Sequence, residues 1–343
     1  TAVIIHAVTV NDNPIEYQIY GDMIYADTTT TDTVVADYTF RQEEQFFPSY
    51  FIMAVSYSLA QIFATSIARD GSLTQTMATL AEFPDRTLYG EDVIWSGSPN
   101  LGMLSSHRIQ STATHNNQGT YGRPTGRKLK YRIIADCHAK NNKIDDEWLI
   151  RDQGAIVKQL DWDPKDFARD LISREGGPEK CIKPYTHDND VEGPYKGKGN
   201  DNEWGELFSY TLNQIVSADF SVISREYDRA VNLEYAGGIS DVSHSGVDNF
   251  WMGLRSSFPS AEFIICHQIG LNENKMPPRA AVRWILNGKH DGWGIFGPPT
   301  GANVCILGAS HVEFGHHGIR REFTLFDYVS VWKQILIHTG EVY

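Results

Sequence analysis

The chain has 343 residues, of which 41% are hydrophobic and 21% charged, as in a globular protein with room for two domains. Its formal net charge of −13 argues against nucleic acid and against anionic membrane surfaces, because phosphate contacts need clustered Lys and Arg. The sequence has no apolar run of membrane-spanning length and no evident signal peptide, so we expect a cytoplasmic protein.

The first 75 residues carry one clear element, an apolar stretch at 51–64 whose spacing predicts a helix. They do not resemble residues 176–250, their counterpart in the repeat described next. The fold of this segment therefore stays open at the level of sequence.

The chain contains an internal repeat. Residues 77–160 align with residues 252–335 without a gap, at an offset of 175 positions. The alignment has 16 identities, where average composition gives roughly five by chance. The densest block, H-x3-G-x-[YF]-G-x-P-T-G, begins at His115 and again at His290. A tandem duplication is therefore predicted.

The repeat and the composition together predict the domain boundaries. Residues 170–202 are rich in Gly, Pro, Lys and Asp, which is typical of a linker. We expect a first module at 1–169 and a second at 203–343, paired within the chain as a pseudo-dimer.

Each copy has four runs in which apolar and β-branched residues alternate between Gly, Pro or Asn boundaries, and such runs predict strands. They lie at 87–95, 105–115, 129–137 and 147–152, and at 262–269, 280–290, 304–312 and 322–327. Helical spacing at 203–218 and near 247–258 precedes the second set. The predicted fold class is α+β, with helices packed on a curled antiparallel sheet in each of two tandem cone-shaped modules.

This order of elements, with the repeated block ahead of an E-[WF] strand, resembles the SnoaL-like polyketide cyclases of the nuclear transport factor two-like, or cystatin-like, superfamily. The resemblance covers roughly residues 77–165 and 205–337. It implies a cone in which helices close over a bent sheet and leave a pocket at the wide end. The superfamily includes cyclases, isomerases, hydrolases, dehydratases and binding modules, so the fold does not fix the reaction. Its cyclases work by proton transfer without a cofactor.

One candidate catalytic pair lies on the strand after each P-T-G turn. The SnoaL-like pattern usually has an Asp on this strand; Asp136 takes that place in the first copy and His311 in the second. His138 and Glu313 follow two positions later on the same side, so each copy offers a carboxylate and an imidazole. Such a pair can abstract a proton next to a carbonyl. The alternative is an ordinary solvated strand end.

His115 and His290 are further candidates for acid–base catalysis. The period of two places them on the inner face of their strands, where an imidazole can act near neutral pH. The alternative is a structural histidine that bonds the glycine turn after it. The recurring Glu147 and Glu322 are interpreted as salt-bridge partners of Arg108 and Arg283.

Several aromatic residues are candidates for lining a ligand pocket. The residues expected to contact substrate are Trp95, His107, Trp284 and Trp293, although most tryptophans in such modules belong to the core.

The sequence predicts no metal and no cofactor. His311, Glu313, His316 and His317 lack a metal-binding spacing, and the first copy has different residue types there. The hypothesis is a cofactor-free acid–base enzyme of SnoaL-like type that cyclises, isomerises, hydrates or hydrolyses a small or medium organic molecule. The alternative is a non-catalytic small-molecule binding or carrier protein. Further association into a homo-oligomer stays open.

Overall fold

The computed structural model describes most of residues 2–40, positions 52, 55, 56 and 59, and residues 81–98, 102–191 and 193–341. The chain separates into two compact units, residues 1–77 and 78–343. The helix predicted at 51–64 falls almost entirely outside the described residues. Both predicted sheets lie in the second unit, so the module boundaries at 169 and 203 stay a prediction.

The described residues between 2 and 40 in the first unit form short antiparallel strands. They are β1 (Ala2–Val10), β2 (Asn13–Pro14), β3 (Tyr17–Tyr20), β4 (Met23–Ala26) and β5 (Val34–Phe40). Strand β1 pairs with β2 and β5, and β3 pairs with β4.

The second unit begins with a four-stranded antiparallel sheet in the order β6-β7-β8-β9. Its strands are β6 (Thr87–Ser98), β7 (Gly102–Thr114), β8 (Lys128–Lys140) and β9 (Lys143–Arg151), followed by helices α1 (Gln153–Gln159) and α2 (Pro164–Arg174). Each strand includes most of one predicted run. Helix α2 extends a few residues into the expected linker, which otherwise holds a short 3-10 turn at His187–Asn189.

A six-stranded sheet follows, in the order β11-β10-β15-β14-β13-β12. Its elements are α3 (Glu203–Val216), α4 (Ser221–Glu226), β10 (Tyr227–Tyr235), β11 (Ile239–Val242), α5 (Ser243–Ser257), β12 (Glu262–Leu271), β13 (Arg279–Lys289), β14 (Asn303–Gly315), β15 (Gly318–Phe326) and α6 (Tyr328–Thr339). Only the β10–β15 pairing is parallel. The α+β class is therefore as expected.

Strands β6–β9 and β12–β15 have the same order and the same register at the offset of 175. Ser106 pairs with Asp136 as Ala281 pairs with His311. The irregularity in β6 between Gly90 and Asp92 recurs in β12 between Ile265 and His267. A bulge of this kind is a specified feature of a sheet. The shared register agrees with the predicted duplication.

The residues that recur near the end of each copy hold a helix against its sheet. Asp152 accepts a hydrogen bond from the N–H of Ala155 and so caps α1, and Asp327 caps α6 in the same way. The Gln334 amide bonds both the N–H and the C=O of Cys305 on β14. Gln159 makes the same pair of bonds to β8, which explains why these residues recur.

The two sheets pack through one face each. Ile94 and Leu104 meet Ile269 and Ala281, and a second apolar cluster is formed by Ile134, Ile150, Ala309 and Leu325. The contacts are reciprocal: Arg108 lies 3.7 Å over the ring of Phe323, and its counterpart Arg283 lies 3.7 Å over Trp148. Such reciprocity is typical of a two-fold interface. The opposite face of each sheet is the one expected to be concave if each module is a cone.

Candidate functional site

Asp136 lies in the interface between the two sheets, where it is 4% exposed. Its carboxylate accepts hydrogen bonds from Arg283 Nε at 2.8 Å and from His267 Nδ1 at 3.1 Å. Burial acts to raise the pKa of Asp136, but the bonds from His267 and Arg283 outweigh it and hold this pKa below its usual value. Asp136 is therefore a paired, ionised group.

His311 is fully buried in the same interface, 2.8 Å from the hydroxyl of Ser106. Burial, reinforced by the positive charge of Arg108, lowers the pKa of His311 well below its usual value, so the imidazole is neutral. Glu313 lies nearby and is bonded by Arg320 at 3.2 Å.

The fourth member of this group, His138, lies near the edge of the interface. Its Nδ1 is 2.5 Å from Asp145, and its ring stacks on Tyr195 with 4.4 Å between ring centroids. The hydroxyl of Tyr195 is 3.3 Å from His267 Nε2 and links this group to Asp136. Sequence reasoning missed Tyr195 and His267, because neither belongs to the repeated motif.

The structure thus brings together the four residues expected on the strands after the P-T-G turns. They lie in the interface between the modules, and each of them has a protein partner. This placement favours a structural network, and their catalytic role stays a prediction. Their location differs from the expected pocket because residues two apart on a strand share a face, while the pattern does not tell which face meets the other sheet.

His115 and His290 are fully buried at the glycine turns. The carbonyl of His115 accepts the N–H groups of Thr125 and Gly126, and its Nδ1 is 3.2 Å from the Thr125 hydroxyl. His290 makes the equivalent contacts, with 3.0 Å to the hydroxyl of Thr300. These bonds match the structural alternative for both histidines.

A buried carboxylate that the sequence did not reveal lies beside His115. Glu82 accepts the N–H groups of Thr120 and Tyr121 and lies 3.3 Å from His115 Nε2. Burial raises the pKa of Glu82 to about 7, although the two backbone bonds oppose the shift. The second copy has Ser257 at this position, so the repeat gave no signal for it.

The expected concave face of the first sheet, opposite the interface, carries a partly exposed patch with polar groups. Cross-strand pairing places its residues in two adjacent rows, Trp95–Ser105–Cys137–Glu147 and Val93–His107–Ala135–Leu149. We call these eight residues the concave patch. Trp95 is 39% and Leu149 47% exposed, and Glu147 is exposed as well. The patch therefore combines apolar surface with a carboxylate and an imidazole.

The polar groups of the concave patch contact one another. His107 Nε2 is 3.0 Å from the Ser105 hydroxyl, and burial lowers the pKa of His107 although the charges of Glu147 and Asp136 oppose the shift. The Cys137 thiol donates to Glu147 across 3.9 Å. Burial and the neighbouring carboxylates raise the pKa of Cys137 to about 12, so it remains a thiol and not a nucleophilic thiolate.

The same face of the second sheet is a filled core. Glu322, the counterpart of Glu147, is fully buried, with its carboxylate bound by four donors. The hydroxyls of Tyr227 and Tyr235 bond one oxygen at 2.9 Å each, while Trp251 Nε1 at 3.1 Å and the Thr324 hydroxyl at 2.7 Å bond the other. Glu147 and Glu322 are identical in the repeat, yet the first is exposed and the second is buried.

The residues expected to contact substrate therefore lie in different environments. Trp95 and His107 lie together in the concave patch, whereas Trp284 is fully buried in the second core and donates to Ser310. Trp293 is 72% exposed in the loop before the second P-T-G turn and is not part of a pocket with Trp284. The interpretation of Glu147 as a partner of Arg108 was wrong, since Arg108 pairs with acidic residues on β6 and β14.

In the described ranges of the chain, His, Cys, Asp and Glu form no group of three or more that could hold a metal ion. Among those residues, too, no helix is long and apolar enough to cross a membrane. A cleft of about 230 Å³ between the modules contains Lys130, Arg132, Glu234 and Ser240. The Arg132 guanidinium forms salt bridges there with Glu91 and Glu234, so this cleft is a salt-bridged part of the contact between the modules.

The second unit thus contains two α+β modules joined through their sheets. The first has a partly exposed patch whose central residues Ser105, Ala135 and Cys137 are buried, and the second has a closed core. Comparison with protein families and with curated proteins gives no match. Among solved structures, the chain is similar to a SnoaL-like polyketide cyclase from Agrobacterium tumefaciens str. C58, with 17% identity over 39% of this chain and 98% of that one, and a TM-score of 0.31.

Two other similar structures are a SnoaL-like protein from Jannaschia sp. CCS1 and IdmH from Streptomyces antibioticus, both assigned as polyketide cyclases. The first has 14% identity over 40% of this chain and 96% of that one, with a TM-score of 0.33. IdmH has 15% identity over 40% of this chain and 99% of its own, with a TM-score of 0.32. Each match spans nearly all of the smaller protein.

Proposed function

We propose that the concave patch binds a small or medium organic molecule and transforms it by acid–base chemistry without a cofactor. The observation that carries this proposal is the contrast between Glu147 and Glu322. In the second module the carboxylate is buried and bound by four protein donors, so it has no capacity for a ligand. In the first module the same residue stands on an accessible face beside a titratable imidazole.

The composition of the patch supports this function. Ligand sites are mostly apolar and contain a few convergent polar groups, and large apolar side chains exposed side by side often mark such a site. Trp95, Val93 and Leu149 supply the apolar contact. Glu147 and His107 supply the proton acceptor and donor needed for cyclisation, isomerisation, hydration or hydrolysis.

The second module has a supporting role in this proposal. Its interface with the first sheet buries Asp136, Arg108 and Arg283 in a paired network and so fixes the sheet that carries the patch. A site held by a rigid scaffold keeps its groups in productive geometry. We therefore assign one active module and one structural module to the chain.

The test begins with the purified full chain and a library of cyclic ketones, lactones and epoxides. Native mass spectrometry detects binding, and chromatography with mass detection measures turnover. For any compound that is turned over, Glu147→Gln is expected to lower the rate about a hundredfold or more, because general base catalysis contributes that much. Asp145→Asn is the matched control, since it neutralises a carboxylate on the same strand that is held by His138. Binding without turnover would support the carrier alternative, and equal turnover in both variants would contradict the proposed site.

A further inference from the structure

The interface between the two sheets contains buried charges that are divided unequally between the modules. The side chains on the first face are at most 9% exposed and belong to Asp92, Arg108 and Asp136. Those on the second face are at most 11% exposed and belong to Arg279, Arg283 and Glu313. The first face thus has one carboxylate in excess and the second has one guanidinium in excess. Together the two faces are neutral.

The excess charges meet across the interface. Besides the bonds that Asp136 accepts from the second module, Asp92 accepts a hydrogen bond from Arg279. In the opposite sense, Arg108 Nη2 lies 3.7 Å from Glu313 Oε1. A charge removed from water is tolerated only when an opposite charge lies close to it. Each module therefore supplies the charges that the other one needs.

The two copies differ at the positions that face each other. Asp92 corresponds to His267 in the repeat, and Leu104 corresponds to Arg279. Because Asp136 faces His267 across the pseudo-two-fold axis, pairing of two first modules would bring Asp136 opposite Asp92. Asp92 would also meet Leu104 in place of Arg279. Such a pair would bury four carboxylates against two guanidinium groups.

Pairing of two second modules would be unfavourable for the opposite reason. Arg279 would meet His267 in place of Asp92, and four guanidinium groups would share the two carboxylates of Glu313. Protonation of a histidine on this face would only add positive charge. Two identical faces therefore bury an uncompensated charge in either case, and only the mixed pair is neutral.

We propose that this interface is selective: the sheet of the first module accepts the second module and rejects a copy of itself. The apolar clusters cannot make this choice, because Ile94, Ile134 and Ile150 correspond to apolar residues in the second copy as well. Complementary charges set the choice of partner, since like charges brought together in an interface are strongly unfavourable. The partner that fits the first sheet is a second module, and chains do not associate through two first sheets.

The experiment places like charges opposite each other within the full chain, as they would meet between two first modules. His267→Asp puts a carboxylate opposite Asp136, and His267→Asn is the matched neutral variant. We expect the melting temperature of His267→Asp to lie about 5 °C or more below that of His267→Asn, because repulsion adds to the lost bond. Arg279→Leu, which copies Leu104, should also lower the melting temperature. Arg320→Leu is the control, since Arg320 pairs with Glu313 from a half-exposed position.

The second variant exchanges the two residues across the interface. Asp136→His combined with His267→Asp should recover at least half of the loss seen in His267→Asp, because a carboxylate again faces an imidazole. Hydrogen exchange measured by mass spectrometry should show β8 and β14 opening faster in His267→Asp and more slowly again in the exchanged variant. If His267→Asp does not fold, folding of the exchanged variant gives the same support. Equal melting temperatures for His267→Asp and His267→Asn, or no recovery on exchange, would overturn the proposed selectivity.

Discussion

Replacement of the two equivalent glutamates by leucine should give very different losses of stability. Glu322→Leu removes the acceptor of four buried donors, three of them hydroxyls and one the indole of Trp251. At about 1 kcal/mol for each orphaned donor, the loss is about 4 kcal/mol, reduced by the desolvation cost that an apolar side chain avoids. We therefore expect the free energy of unfolding to fall by about 3 kcal/mol. Glu147→Leu, on an exposed face, should change it by less than about 0.5 kcal/mol.

The assay is equilibrium unfolding of the full chain in guanidinium chloride, followed by far-UV circular dichroism. Glu322→Gln is a useful intermediate, because its amide oxygen can still accept from Trp251 while its NH2 group donates to a tyrosine oxygen. The loss of unfolding free energy in Glu322→Gln should lie between the losses in the two leucine variants. Equal and small losses for Glu322→Leu and Glu147→Leu would refute the contrast between a buried and an exposed glutamate.

Two further predictions concern buried charges. Because the pKa of Glu82 is raised to about 7, the folded protein retains a proton that the unfolded chain releases, so stability should fall as pH rises from about 4.5 to 7. Across this pH range, the melting temperature of Glu82→Gln should decline less steeply than that of the wild-type protein. Parallel curves for the two proteins would contradict the raised pKa of Glu82. Asp136→Asn should cost about 2–3 kcal/mol by leaving Arg283 without its counter-charge, yet leave ligand binding at the concave patch intact. Loss of turnover in this variant without loss of stability would instead favour a catalytic Asp136.

The strand pattern could be predicted from sequence because alternation and the 175-residue offset are local signals. The face of the sheet that each residue occupies could not be predicted from sequence. Nearly every residue of β14 is buried, since one side meets the helices and the other meets the first sheet, so alternation gives no contrast between the two sides. The sequence could therefore identify Asp136 and His311 as equivalent positions of the two copies, but it could not assign them to the interface.

The candidate site was hidden for a different reason. Glu147 and Glu322 are identical in the repeat, and only their neighbours distinguish an exposed carboxylate from a buried one. The donors that bind Glu322 come from β10, α5 and β15, two of these elements far away in sequence. His107 and Trp95 could be selected because their residue types suit a ligand site, whereas Trp284 has the same chemistry and belongs to the core.

The most direct test of an open site in the first module compares two tryptophans. Saturation-transfer NMR with a ligand found in the screen would be recorded on the wild-type chain, on Trp95→Ala and on Trp293→Ala. Both side chains are exposed, at 39% and 72%, but only Trp95 belongs to the concave patch. The expected result is a signal lost in Trp95→Ala and kept in Trp293→Ala. A signal that survives in Trp95→Ala and disappears in Trp293→Ala would contradict the account.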